Sequence, residues 1–167
     1  MTYHILWIED NPQGAFAPYL TPILSDPGIY LELANDATAA FLYLQANPCD
    51  LIIFDLDLPP GDNDSFQVIY RFCAPAQRKI DCVLGCHLLR LWLGYEPVNF
   101  PDDIDANTLR LPTPLATDQI VVYSVYANNF RKNLNNLGLR EDRIIQKDAR
   151  QSRFFLHRRI KEILEKK

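Results

Sequence analysis

Five short apolar runs, separated by stretches of helical periodicity, constrain this chain more than any other feature. The runs are "HILWI" (4–8), "IYLELA" (29–34), "DLIIFDLDL" (50–58), "QIVVYS" (119–124) and "RIIQK" (143–147). Each is rich in residues that suit a pleated surface and is too short for an amphipathic helix. Leu51 to Phe54 run without a polar interruption, as in a central strand covered on both faces. Between the runs, Phe16, Tyr19, Leu20, Ile23 and Leu24 recur at helical intervals, although Pro18 and Pro22 should kink or shorten that helix. Asn35 and Asp36 start a second helix, "ATAAFLYLQAN" (37–47), which Pro48 closes. "SFQVIYRFC" (65–73) and "ANNFRKNLNNL" (127–137, ended by Gly138) are further helices. A last helix is expected from about Ser152 as N-cap, with Phe155, Leu156, Ile160, Ile163 and Leu164 as its apolar face. A β-α unit repeated five times predicts an α/β fold, a parallel sheet with helices on both faces. Such folds bind ligands at the carboxyl ends of their strands.

With 167 residues the chain fits one domain, 1–167, with a core that needs no staples. The alternation breaks only at about 76–118, where "VLGCHLLRLWLGY" (83–95) suggests a helix and a loop dense in Pro and Asp follows. Long irregular loops in compact domains are commonly functional, so this stretch reads as an insertion between the third helix and the fourth strand. Its Trp92, Leu89, Leu93 and Tyr95 suit core or interface anchors better than a cofactor box. Cys82, Cys86 and His87 suit small buried groups better than a metal site. The four cysteines, Cys49, Cys73, Cys82 and Cys86, are expected as free thiols. A net charge of -4 gives no global reason to expect nucleic acid or a membrane surface as partner. The basic tail "RQSRFFLHRRIKEILEKK" reads as a solvated helix face. No apolar stretch reaches the ~20 residues of a membrane span, and "MTYHILWIED" lacks the layout of a signal peptide, so a cytoplasmic location is expected.

The strand ends carry the chemistry. Glu9 and Asp10 follow the first strand, Asp55 the third, Ser124 the fourth and Lys147 the fifth. In a parallel sheet these ends share one rim, where clustered carboxylates repel unless a cation sits among them. Oxygen-only ligands with room for water suit Mg²⁺. Asp55 can then act as a nucleophile in phosphoryl transfer, with Lys147 and Ser124 neutralising the transferred oxygens.

With these residues in place, the chain resembles a response-regulator receiver domain of two-component signalling over about 3–75 and 119–165. The most specific stretch is "PCDLIIFDLDLPPGD" (48–62), similar to the family's phosphoacceptor strand and following loop. The resemblance implies a flavodoxin-like, doubly wound, five-stranded parallel sheet of order 2-1-3-4-5. It makes Asp55 the phosphorylated residue and Asp57 the donor of a backbone carbonyl to Mg²⁺. Glu9 and Asp10 in "ILWIEDNP" match the acidic pair, with Asp10 a direct ligand and Glu9 acting mostly through water. Ser124 matches the hydroxyl residue that moves toward the phosphoryl group, and Lys147 the lysine that pairs with it. The departures are Asp148 where proline is usual, Ile144 where an aromatic switch is common, and Val125 in place of a small residue.

The resemblance also implies partners: a sensor histidine kinase or phosphotransfer protein upstream, and a downstream protein effector, possible through 76–118. The expected role is a stand-alone receiver that is not an enzyme beyond its own phosphotransfer and dephosphorylation. A receiver-like interaction module that is not phosphorylated is the alternative. A haloacid-dehalogenase-type phosphatase is the remote one, with Asp55 as nucleophile and Asp57 as general acid/base. That family needs an acid pair after the lysine, whereas here the pair lies upstream and Leu58-Pro59 replaces its usual Gly-Thr.

Overall fold

The computed structural model describes residues 2–12, 14, 17–73 and 83–166. The elements run β1 (Tyr3–Ile8), α1 (Ala17–Leu24), β2 (Ile29–Ala34), α2 (Ala37–Ala46), β3 (Leu51–Phe54) and α3 (Asp64–Cys73). They continue with α4 (Leu84–Trp92), β4 (Ile120–Ser124), α5 (Ala127–Asn136), β5 (Ile144–Gln146) and α6 (Phe155–Leu164). The strands form one sheet of order β2-β1-β3-β4-β5, with every neighbouring pair parallel. This is the flavodoxin-like arrangement, with the order changing direction beside β1 and β3.

Alternation along the strands divides the interior into two layers. Leu6, Ile8, Ile52, Phe54, Ile120 and Val122 face α2, α3, α4 and α5. Ile5, Trp7, Leu51, Ile53, Val121 and Tyr123 face α1 and α6. A period of two thus explains why β1, β3 and β4 read as unbroken apolar runs, since both of their faces are covered.

Helix ends follow local chemistry. The Asp36 side chain accepts the Ala39 amide at 2.7 Å and caps α2. Gly138, at φ 84, ends α5, and the Leu139 amide reaches back to the Leu134 carbonyl at 3.2 Å, a Schellman closure. Pro22 lies inside α1, which is only 8 residues long, as its prolines require. β3 is assigned to Phe54, short of the expected 58, because the chain leaves the sheet after Asp55, whose amide makes the last ladder bond, to the Ile8 carbonyl. At the start of α6, Ser152 accepts the Phe154 amide at 3.4 Å and the Phe155 amide on its carbonyl. The helix itself begins at Phe155 with Phe154 as N-cap, two residues later than expected.

Residues 83–118, ahead of β4, contribute to the core. Trp92 of α4 is fully buried, stacked on Phe41 at 6.1 Å and edge-on to Phe54 at 5.8 Å. Its indole N–H donates to the Leu109 carbonyl at 3.2 Å. Leu89 is buried too, whereas Leu93 is half-buried and Tyr95 exposed, its hydroxyl donating to the Leu137 carbonyl. Gly85 lets α4 approach the backbone beside Asp55: a Cβ there would lie 2.5 Å from the Leu56 carbonyl oxygen.

The free-thiol expectation holds for Cys49 and Cys86 and is corrected for Cys73, which is disulfide-bonded. Spacing along a chain does not report which cysteines the fold brings together. Cys82 lies outside the described residues. Burial pushes the Cys86 thiol up, away from the thiolate that binds metals and reagents, and the neighbouring His87 imidazole down, toward its neutral form. Among the described residues no helix is long and apolar enough to cross a membrane.

Candidate functional site

The carboxyl ends of β1, β3, β4 and β5 meet at one rim. Glu9 continues β1, its amide bonded to the Ala34 carbonyl at 2.9 Å. The Asp55 amide is bonded to the Ile8 carbonyl at 3.1 Å, and the Lys147 amide to the Ser124 carbonyl at 3.0 Å. The ladder thus extends one residue past the assigned strands and fixes the backbone of all three charged residues. Glu9, Asp55 and Lys147 are buried, at 3%, 3% and 6% exposure. Asp10 is exposed.

The Lys147 ammonium donates to both Glu9 Oε2 and Asp55 Oδ2. Carboxylate oxygens of Glu9, Asp10 and Asp55 all lie within 4.8 Å of one another. One ammonium against three carboxylates leaves the cluster negative, and at low effective dielectric that residue of charge is costly. Burial, opposed by Lys147, holds the Glu9 carboxyl above its usual range. The donor set is all oxygen and faces solvent through Asp10, which fits a hard divalent cation such as Mg²⁺ that keeps several waters.

Asp57 is exposed, and its carboxylate stands outside the three-acid group. Its amide donates to Asp55 Oδ1 at 3.1 Å and orients that carboxylate. Partial desolvation, then the charges of Asp55 and Asp10, hold the Asp57 carboxyl above its usual range. Ser124 is fully buried at the end of β4, and its Oγ accepts the Tyr126 amide at 3.2 Å. Its hydroxyl is thus engaged by the turn into α5. Val125, next in the chain, is 43% exposed.

The loop after β3 is held by α2. The Ala37 amide bonds the Pro59 carbonyl at 3.0 Å, Thr38 Oγ1 donates to the Pro60 carbonyl at 2.7 Å, and the Asn63 amide donates to Thr38 Oγ1 at 3.0 Å. The turn after Lys147 is held from the other side of the sheet. Tyr19 of α1 donates to the carbonyls of Asp148 at 3.1 Å and Gln151 at 2.9 Å. Tyr123 of β4 donates to Gln151 Oε1 at 3.4 Å, and the Gln151 amide group returns to the Gln146 carbonyl at 3.2 Å. The Lys147 ammonium lies 5.7 Å from the centre of the Tyr123 ring, within cation–π range. No cis peptide occurs among the described residues. Asp148, where proline was the family pattern, is held at about 2 by hydrogen bonds from Arg150.

From the sequence Tyr19 was placed only on the apolar face of the first helix, and Tyr123 and Gln151 were not singled out. A signal did exist: a tyrosine in a buried strand or helix face needs a partner for its hydroxyl. What was missing was the partner, 28 residues away for Tyr123 and more than 100 for Tyr19.

No family model matches the sequence, and no curated protein matches it. Solved structures do. A CheY-like response regulator receiver domain protein from Methanospirillum hungatei JF-1 matches with a TM-score of 0.50 at 18% identity, over 99% of this chain and 96% of that one. RcsB from Salmonella enterica serovar Typhimurium, bound to promoter rprA in the presence of phosphomimetic BeF3-, matches with a TM-score of 0.47 at 12% identity. That match covers 95% of this chain and 66% of that one. The chain has the fold of a response-regulator receiver domain.

Proposed function

We propose that this receiver-fold chain is a signalling protein that accepts a phosphoryl group on Asp55. The donor is a phosphohistidine of a sensor kinase or phosphotransfer protein. The observation that carries this reading is the convergence of Asp55 with Glu9, Asp10 and the Lys147 ammonium at the carboxyl rim of the sheet. Asp10 and Asp55, with the Asp57 carbonyl, would hold Mg²⁺, and Glu9 would act through water. Bound there, the cation supplies charge neutralisation to the transferring oxygens.

The residues divide the remaining work. An Asp55 Oδ attacks phosphorus as the P–N bond to the donor imidazole breaks, and the imidazole nitrogen keeps the electron pair. The product is an acyl phosphate on Asp55. The Asp57 amide, bonded to Asp55 Oδ1, orients the carboxylate so that its other oxygen is the nucleophile. Lys147, already bonded to Asp55 Oδ2, is placed to follow the new negative charge onto the phosphoryl group. Ser124 would exchange its bond to the Tyr126 amide for one to a phosphoryl oxygen, which couples the modification to the start of α5. The output is a changed binding surface for a downstream protein, with α4 and the segment leading to β4 as the proposed contact.

Intact-mass measurement after incubation with Mg²⁺ and a small phosphodonor tests this. Wild type should gain the mass of one phosphoryl group and Asp55→Asn should not. No gain in wild type would sink the reading and leave an interaction module that is not phosphorylated. Steady release of phosphate from simple phosphomonoesters would point to the phosphatase.

A further inference from the structure

At the opposite end of the sheet from Asp55, the amino ends of β4 and β5 border a cavity of about 470 Å³. It is lined by Arg140, Asp142 and Arg143 before β5, Asp118 before β4, and Ile163 and Lys166 at the end of α6. Its floor carries an unusual charge. Arg143 is only 6% exposed, yet among the described residues its side chain makes a single hydrogen bond, from Nη1 to the Asp118 backbone carbonyl at 2.9 Å. Its Nε is buried with no hydrogen-bond partner. Asp142 pairs with Arg140 at 3.1 Å, and among the described residues no carboxylate forms an ion pair with Arg143. Burial, with the nearby charges of Arg140 and Arg159, holds its guanidinium below the usual arginine range, opposed by Asp142 and Asp118.

A buried guanidinium with an unbonded Nε and, among the described residues, no carboxylate within ion-pair distance is an incomplete arrangement, because such charges are retained where they are paired. Two parallel N–H donors of one guanidinium fit two oxygens of a phosphate or carboxylate. Arg140 and Lys166 stand on the lining as exposed cations, able to meet a second oxygen pair and to attract an anion from solution. The volume lies in the range of small-molecule sites and exceeds what a bare ion would fill.

We propose that this cavity is a second, phosphoryl-binding site, distinct from the acidic rim, in which Arg143 grips the oxyanion and Arg140 and Lys166 support it. The phosphoryl group belongs to free phosphate or to a small soluble phosphate ester. The reading stands independently of phosphorylation at Asp55.

Side-chain Nε–Hε resonances of the arginines in the full chain provide the test, with inorganic phosphate and adenosine monophosphate titrated separately. The Arg143 signal should shift saturably with at least one of them, and Arg143→Gln should weaken binding roughly tenfold or more. Tighter binding of the nucleotide assigns the site to an ester, and equal binding assigns it to free phosphate. Should Arg143→Gln fail to fold, Lys166→Ala and Arg140→Ala serve instead, each expected to weaken binding about threefold. Absence of a saturable shift with both probes overturns the proposal. So does undiminished affinity in Arg143→Gln, or in both exposed-site variants.

Discussion

Lys147 holds two buried carboxylates with a single ammonium, so its removal exposes how the rim is balanced. In Lys147→Met, Glu9 and Asp55 remain buried without a cation, and breaking such a pair costs about 3–5 kcal/mol. Urea denaturation in the presence of a chelator should show a loss of that order. Mg²⁺ should restore a larger share of stability in the variant than it adds to wild type, because the lysine no longer competes for the same oxygens. An equal Mg²⁺ effect in both proteins would separate the ammonium from the cation site. Asp57 tests the other side of the rim. Its backbone N–H, rather than its exposed carboxylate, contacts Asp55. Asp57→Asn should therefore leave the phosphoryl mass gain largely intact, whereas it would abolish turnover in a phosphatase that used Asp57 as general acid. At this scale the charged residues of the rim were readable because strand ends are readable. The tyrosine supports were not, since hydrogen bonds between α1 and the turn after β5 leave no trace in local spacing.

Elements carry two further expectations. α4 meets the chain just past β3 through Gly85, where an alanine methyl would lie 2.5 Å from the Leu56 carbonyl oxygen. That neighbour is backbone and cannot rotate away, so Gly85→Ala should cost about 1–3 kcal/mol and displace the segment carrying Asp55. The amide shifts of Leu56 and Asp57 read that displacement directly. The helix itself was visible in the sequence through its leucines at helical spacing. Its lodging between α2 and β3, with Trp92 against Phe41 and Phe54, was not, because an apolar helix face does not say which surface will cover it. The second expectation concerns α6. Asp26, in the turn before β2, accepts bonds from His157 and Lys161 of α6 and from the Gly28 amide, the His157 bond being the largest influence. Together they hold its carboxyl at about 2. A carboxyl depressed in the folded state contributes stability above its unfolded value of about 3.9 and loses it as pH falls toward 2. Stability of wild type should decline through that window by about 1 kcal/mol more than that of Asp26→Asn, after allowance for solvent screening. Matching acid limbs for the two proteins would show that the contact is not coupled to folding.

Across the whole molecule, the sheet separates two sites of opposite sign, an acidic rim at the carboxyl ends of the strands and a cationic cavity at the amino ends. The separation follows from the parallel topology, which sends all strand-end loops of one kind to the same side. The doubly wound architecture was legible because five apolar runs alternate with helices. The cationic cavity was not, since Asp118, Arg143 and Lys166 are distant in the chain and each alone resembles an ordinary surface charge. A cation that binds only the folded rim must stabilise the entire fold by mass action. At a hundredfold excess over its Kd that amounts to about 2.7 kcal/mol, or several degrees in Tm for a domain of this size. Asp10 is the exposed member of the acidic group and is not bonded to Lys147, so Asp10→Asn removes the proposed cation ligand without opening the core. Calorimetry should therefore show a Mg²⁺-dependent rise in Tm for wild type, and nearly none for Asp10→Asn, while the metal-free Tm values of the two stay within about a degree or two. A rise of the same size in both would mean that the cation acts elsewhere, and the oxygen cluster of Glu9, Asp10 and Asp55 would then be a structural ion pair with Lys147 alone.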